Sequence, residues 1–94
     1  MNNTIYKICL HAKLEIFDDG AVILNTKNFK LIELNSTARD ILQATNGLNA
    51  IHEVIEQMVQ LYEINAQDAE KDVQELYQHL LEQGIMETVT NDQS

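Results

Sequence analysis

Cysteine occurs once in the 94 residues, at Cys9. No disulfide can form within the chain, and no zinc site with paired cysteines can be built. Glycine occurs three times, and neither G-x-x-x-x-G-K-S/T nor G-x-G-x-x-G is present, which argues against a phosphate-cradling loop. No apolar run approaches the roughly 18 to 20 residues that span a bilayer, and the N-terminal residues lack the pattern of a secretory signal. These absences predict a protein of a reducing compartment, with a cytoplasmic location expected. A chain of this length forms one small core, burying roughly 60 to 65% of the surface its unfolded form exposes, so a large internal active-site cavity is not expected.

Positive charge is also scarce, and it is unevenly placed. The formal net charge is -9. Residues 1–39 carry Lys7, Lys13, Lys27, Lys30 and Arg39 against Glu15, Asp18, Asp19 and Glu33, whereas residues 40–94 carry Lys71 alone against eleven acids. An acidic surface repels phosphate, so nucleic acid and anionic membranes are not expected as partners. The plainer role of such acidity is to keep a small protein soluble.

Apolar periodicity divides the chain into strands and then helices. From Ile8 to Ile16 the apolar residues fall on even positions, the alternation of a half-buried strand, and residues 1–7 read as a loose lead-in. Asp18-Asp19-Gly20 supplies residues that tolerate a positive φ in a tight turn. Ala21 to Leu24 is a second strand, Thr26-Lys27-Asn28 a second turn and Phe29 to Leu34 a third strand. Connections this short favour antiparallel pairing. At Asn35 or Ser36 a helix cap appears, and Ala38, Ile41 and Leu42 continue at helical spacing to Asn46-Gly47. Ile51, Val54, Ile55, Met58 and Tyr62 then mark an amphipathic second helix. Asn65 caps a third, whose apolar face is Ala69, Val73, Leu76, Tyr77, Leu80 and Leu81 and which Gly84 stops. Ile85 and Met86 form an apolar plug, and residues 87–94 read as a disordered tail. The fold class is therefore α+β, an N-terminal three-stranded antiparallel sheet packed on three helices, similar to winged helix-turn-helix proteins.

Asp19-Gly20-Ala21-Val22-Ile23-Leu24, Leu34-Asn35 with Ala38 and Ile41-Leu42, Asn46-Gly47, Tyr62, and Asp72-Val73 with Leu76, Leu80 and Gly84-Ile85 together resemble the PqqD family. Its members are also called recognition elements for ribosomally made, post-translationally modified peptides. The resemblance covers about residues 8–86, in a single domain of residues 1–94. It implies a winged-helix domain that has given up nucleic acid and holds the leader segment of a precursor peptide as an extra strand. Carried onto this chain, the peptide-facing strand is Lys27 to Glu33, with Lys27, Phe29, Lys30, Leu31, Ile32 and Glu33 as site residues. The helix that walls the groove offers Asp72, Val73, Leu76, Tyr77 and Leu80. The implied partners are the leader peptide and a separate modifying enzyme, such as a radical SAM enzyme, a cyclase or a leader peptidase. No cofactor and no catalytic residue of its own are implied, and a monomer or weak dimer is expected. Where the subgroup serving pyrroloquinoline quinone synthesis is expected to carry a Pro-Glu-Gly-like turn, this chain has Asn25-Thr26-Lys27, so that pathway does not follow from the resemblance.

The residues support peptide capture on their own terms. An edge strand offers unpaired N–H and C=O groups that an extended peptide can satisfy, with alternate side chains entering pockets. Lys27 and Lys30 beside such a strand would favour an acidic leader. The competing reading makes Phe29 and Leu31 ordinary core residues and the lysines guards against aggregation. Other chemistry is poorly supported. His11, His52 and His79 lie on three different elements, and no pair has the helical spacing of metal ligands. Cys9 has no basic neighbour to activate it. A structural adaptor that dimerises through its edge strand and a winged-helix transcription regulator are the alternatives. The second needs a recognition helix, yet residues 65–83 carry Asp68, Glu70, Asp72, Glu75 and Glu82 against Lys71, and phosphates repel such a helix. Titrating isotope-labelled protein with duplex DNA is therefore expected to leave the third-helix amides unshifted; shifts concentrated there would restore the regulator.

Overall fold

Among residues 4–89, which the computed structural model describes, the chain runs β1 (Tyr6–Ile8), β2 (Ala12–Phe17), β3 (Gly20–Asn25), β4 (Lys30–Asn35), α1 (Ser36–Ala44), α2 (Ile51–Tyr62), α3 (Ala66–Glu82) and β5 (Met86–Thr88). β2, β3 and β4 form an antiparallel sheet with β3 at its centre, and β1 pairs with β5 in a separate antiparallel ribbon. The fold is α+β, as the sequence predicts.

The alternation along each strand decides which sheet face meets the helices. Register places Leu14 opposite Ile23 and Ile23 opposite Ile32, with Ala21 opposite Leu34, so these side chains share one face. That face packs into a core containing Ile41, Val54, Val73, Leu80 and Ile85. Each such fully buried branched side chain contributes roughly 1.5 to 3 kcal/mol. The opposite face carries Phe17, Val22, Leu24 and Leu31, of which Phe17 and Leu31 are exposed.

The helix ends have individual causes. Asn35 Oδ1 accepts the Ala38 N–H at 2.8 Å, and Asn65 Oδ1 accepts the Asp68 N–H at the same distance. α2 starts at Ala50, which has no side-chain acceptor; instead the Glu53 carboxylate reaches back to the Ala50 N–H at 2.7 Å. Glu63 and Gly84 turn left-handed at φ 54° and 73° beyond α2 and α3, as residues past a helix end often do.

The predicted first strand, Ile8 to Ile16, is two strands. Ala12 N–H donates to the Cys9 carbonyl at 3.0 Å, so the chain turns between them and Leu10 stands 95% exposed. The period-two pattern continued through that turn, which is why it read as one element. The lead-in is not loose where it is described. Tyr6 packs against Tyr77 with the rings tilted and their centroids 4.7 Å apart, and β1 holds β5 in register. Accordingly, residues 87–89 belong to ordered structure and not to a tail, while residues 90–94 lie outside the described part. Phe29 also leaves its predicted strand: its φ is 59° and it closes the β3–β4 turn by donating its N–H to the Asn25 carbonyl at 2.7 Å.

The β2–β3 turn needs its glycine for space. Neither Asp18 nor Asp19 has a positive φ, nor does Gly20, but a Cβ on Gly20 would lie 2.2 Å from the Leu34 carbonyl oxygen. Arg39 ties the same turn to α1 by donating to the Phe17 carbonyl at 3.0 Å and to that of Asp18. Gly20→Ala is expected to lower stability by roughly 1 to 3 kcal/mol in urea unfolding; an unchanged midpoint would show that β3 and β4 separate there without cost.

Candidate functional site

β4 is an edge strand. It pairs with β3 along Lys30–Asn35, and no strand pairs with its other side among the described residues. An unpaired edge presents a row of N–H and C=O groups. Beside it lies a groove of about 430 Å³, walled by β4 and α3 and floored by α1. Glu33, Leu34 and Asn35 line one side, Thr37, Ala38 and Ile41 the floor, and Asp72, Glu75, Leu76 and His79 the α3 side.

The predicted site residues separate into three sets. Glu33, Asp72 and Leu76 line the groove. Lys30 and Leu31 lie exposed on β4, while Lys27 and Phe29 lie exposed in the turn that precedes it; Ile32 is half-buried and faces the core. Phe29 at 78% and Leu31 at 59% exposure are therefore not core residues. Val73, Tyr77 and Leu80 are the correction: all three are enclosed, at 0, 3 and 0% exposure, and contribute no groove surface. The reason is helical geometry. At 100° per residue, Asp72, Glu75, Leu76 and His79 form a stripe about a third of a turn from the stripe of Val73, Tyr77 and Leu80. The apolar periodicity marked the buried stripe, and its polar neighbour was the one facing the groove. Leu34, Asn35, Thr37, Ala38 and Ile41 were also not anticipated. Their signal was the short connection between strand and helix, which brings the start of α1 back across the end of β4.

A smaller socket opens from the same region. It measures about 120 Å³, is lined by Ile41, Met58, Tyr62 and Ile64, and shares Thr37, Ile41 and Asp72 with the groove. The Tyr62 hydroxyl donates to the Asp40 carboxylate; that bond, aided by burial, pushes the hydroxyl pKa above its ordinary value. Asp40 is itself paired with Arg39 at 2.9 Å. A third depression, between α1 and α2, includes Gln43, Gln57 and Leu61 and lies on the other flank of α1, away from the strand edge.

Reactive groups are not gathered at the groove. Burial, and then the Glu87 carboxylate, push the Cys9 thiol above its ordinary pKa, which disfavours thiolate. No cluster of three or more His, Cys, Asp or Glu residues suited to a metal ion occurs among the described residues, and no helix there is long and apolar enough to cross a membrane.

Comparison with known proteins gives a family match. The sequence profile of "Coenzyme PQQ synthesis protein D (PqqD)" matches residues 20–86. Comparison with the curated proteins gave no sequence match. Among solved structures, a lasso peptide synthetase B1 complexed with the leader peptide is 26% identical with a TM-score of 0.78, over 87% of this chain and 96% of that one. TbiB1, in complex with the TbiA(beta) leader peptide, is 16% identical with a TM-score of 0.80, over 90% and 99% of the two chains. The PqqD truncation of Methylobacterium extorquens PqqCD, described as a functional and stand-alone recognition element, is 16% identical with a TM-score of 0.74 over 88% of each. The last two likenesses concern the fold.

Tyr77 sets the depth of α3 in the core. Its hydroxyl is hydrogen-bonded to Thr45 Oγ1, which in turn donates to the Ile41 carbonyl at 2.7 Å. Burial raises the Tyr77 pKa from 10.0 to about 12. The unfolded chain thus releases this proton at lower pH than the folded protein, so the contribution to stability is complete below about pH 10 and is lost as pH rises toward 12. The urea midpoint is expected to fall across that window, and to fall less steeply in Tyr77→Phe. Equal slopes would show that Tyr77 ionises as freely folded as unfolded.

Proposed function

The chain belongs to the PqqD family, whose profile spans residues 20–86, and we propose that it captures the leader segment of a ribosomally made precursor peptide for presentation to a separate modifying enzyme. The observation that carries this reading is the open edge of β4 beside a groove walled by α3. An extended leader adds to β4 as a further strand, satisfying the free backbone groups, and directs alternate side chains into the groove. Asp72 and Leu76 receive the inward side chains, with Leu34 and Ile41 beneath them, while Glu33 borders the added strand from the Leu31 face. The outward side chains of the leader meet Leu31 on the exposed sheet face. Lys27, Phe29 and Lys30 flank the end of the added strand nearest the β3–β4 turn, and Ile32 supports it from the core side.

Two structural relatives support the reading, because each was solved with a leader peptide bound and each matches nearly its whole length to this chain. Binding requires no reacting group on the chain. The protein acts as a recognition module, and bond-making belongs to the enzyme that receives the peptide, whether radical SAM enzyme, cyclase or leader peptidase. A cytoplasmic location fits a substrate made on the ribosome.

The test uses synthetic leader peptides taken from short reading frames encoded beside this one. Amide exchange across Lys30–Asn35 is expected to slow on peptide addition. Leu31→Thr, which keeps strand propensity while removing apolar surface, is expected to weaken binding several-fold with helix content unchanged. Binding without protection on β4 would move the site elsewhere, and no binding by any such peptide would favour the edge-strand adaptor.

A further inference from the structure

Resting on that reading, we infer that the groove selects a cationic leader: an extended segment with an apolar anchor and a lysine or arginine two residues away. The expectation from Lys27 and Lys30 was the reverse, an acidic leader. Neither lysine lines the groove. Its acidic side chains are Asp72 and Glu75, both on the α3 wall over a floor of Leu34, Ala38 and Ile41; Glu33 borders the groove, but its side chain shares the Leu31 face of the sheet.

These carboxylates have no internal counter-ion. The two ion pairs among the described residues are Lys7–Glu87 and Arg39–Asp40. Lys71, four residues before Glu75 on α3, pairs with neither Glu75 nor Asp72. Like charges in a half-enclosed space with low-dielectric walls reinforce one another's field. The occupant that relieves this is a cation, and a protein of formal net charge -9 would also steer one inward from a distance.

The carboxylates alone would leave the ligand undefined; the socket and the strand edge define it. The socket formed by Met58, Tyr62 and Ile64 holds about 120 Å³ and meets the groove at Asp72, a space of the size and polarity for one aliphatic side chain. From Asp72 to His79 along α3 is seven helical rises, about 10 Å, a distance that about three residues of extended peptide cover. Only alternate side chains of an added strand face inward. With the anchor in the socket beside Asp72, the next inward position, two residues away, therefore falls beside Glu75 on α3, and there the geometry requires a base.

Selection of random dodecamers displayed on phage against the full chain tests this. Lysine and arginine are expected to be enriched two positions from an aliphatic residue. A synthetic peptide from that pool should lose roughly tenfold in affinity to the Asp72→Asn, Glu75→Gln protein, and lose affinity with added salt in the wild type. Those isosteric changes lie on the groove surface, and a circular-dichroism melt checks that the variant is folded. Acidic or neutral pools, or peptides indifferent to both the double change and salt, would overturn the charge inference while leaving peptide capture in place, provided they still protect β4 amides. If no peptide is selected, or the selected ones leave β4 unprotected, the capture reading itself falls and the inference goes with it.

Discussion

The groove exists because α3 is held from behind. Tyr77 is packed against Tyr6 and bonded to Thr45, which joins α3 to β1 and to the end of α1. Beyond the helix, Ile85 is fully enclosed and its N–H returns to the Leu80 carbonyl at 3.2 Å. His11 Nε2 hydrogen-bonds the Gly84 carbonyl at 2.8 Å, and β5 is paired to β1. These contacts fix both the depth and the rotation of the helix. With Val73, Tyr77 and Leu80 committed to the core, the stripe a third of a turn away has no choice but to face β4.

The open edge and the acidic wall belong to the same economy. An exposed edge invites association with any extended chain, and the groove beside β4 narrows the choice. Backbone pairing is indifferent to sequence, so it supplies affinity without discrimination. In the proposed mode, discrimination falls to the socket and to the α3 carboxylates, one reading apolar bulk and the other charge. Lys27 in the β3–β4 turn and Lys30 at the start of β4 stand outside the groove.

Much of the fold was legible in the residues. Asn65 was named as a cap and Asn35 as one of two candidates with Ser36, and each asparagine accepts the amide that a cap should; Gly84 ends α3 with a left-handed φ. The order of sheet and helices followed from the change of period at Leu34-Asn35. What misled was periodicity continued across a turn. Leu10 kept the even phase of a strand although it sits at a bend, and Phe29 looked like the first residue of a strand although it completes the turn before it. In both places a backbone hydrogen bond three or four residues long, invisible in side-chain pattern, decides the path. Tyr6 was passed over because its partner is 71 positions away on α3, and nothing local announces such a contact.

By itself the sequence determined the kind of elements, their order, the caps that delimit two of the three helices and the charge of each segment, because those depend on neighbours within a few residues. It determined also that α3 would have an apolar stripe and an acidic one. Only the tertiary structure decided which stripe meets the strand edge, that the first and last strands close on each other, and that Asp72 and Glu75 line the groove beside β4. Those facts are set by the rotation of one helix against a core assembled from distant segments, and rotation is a property of packing that no single segment carries.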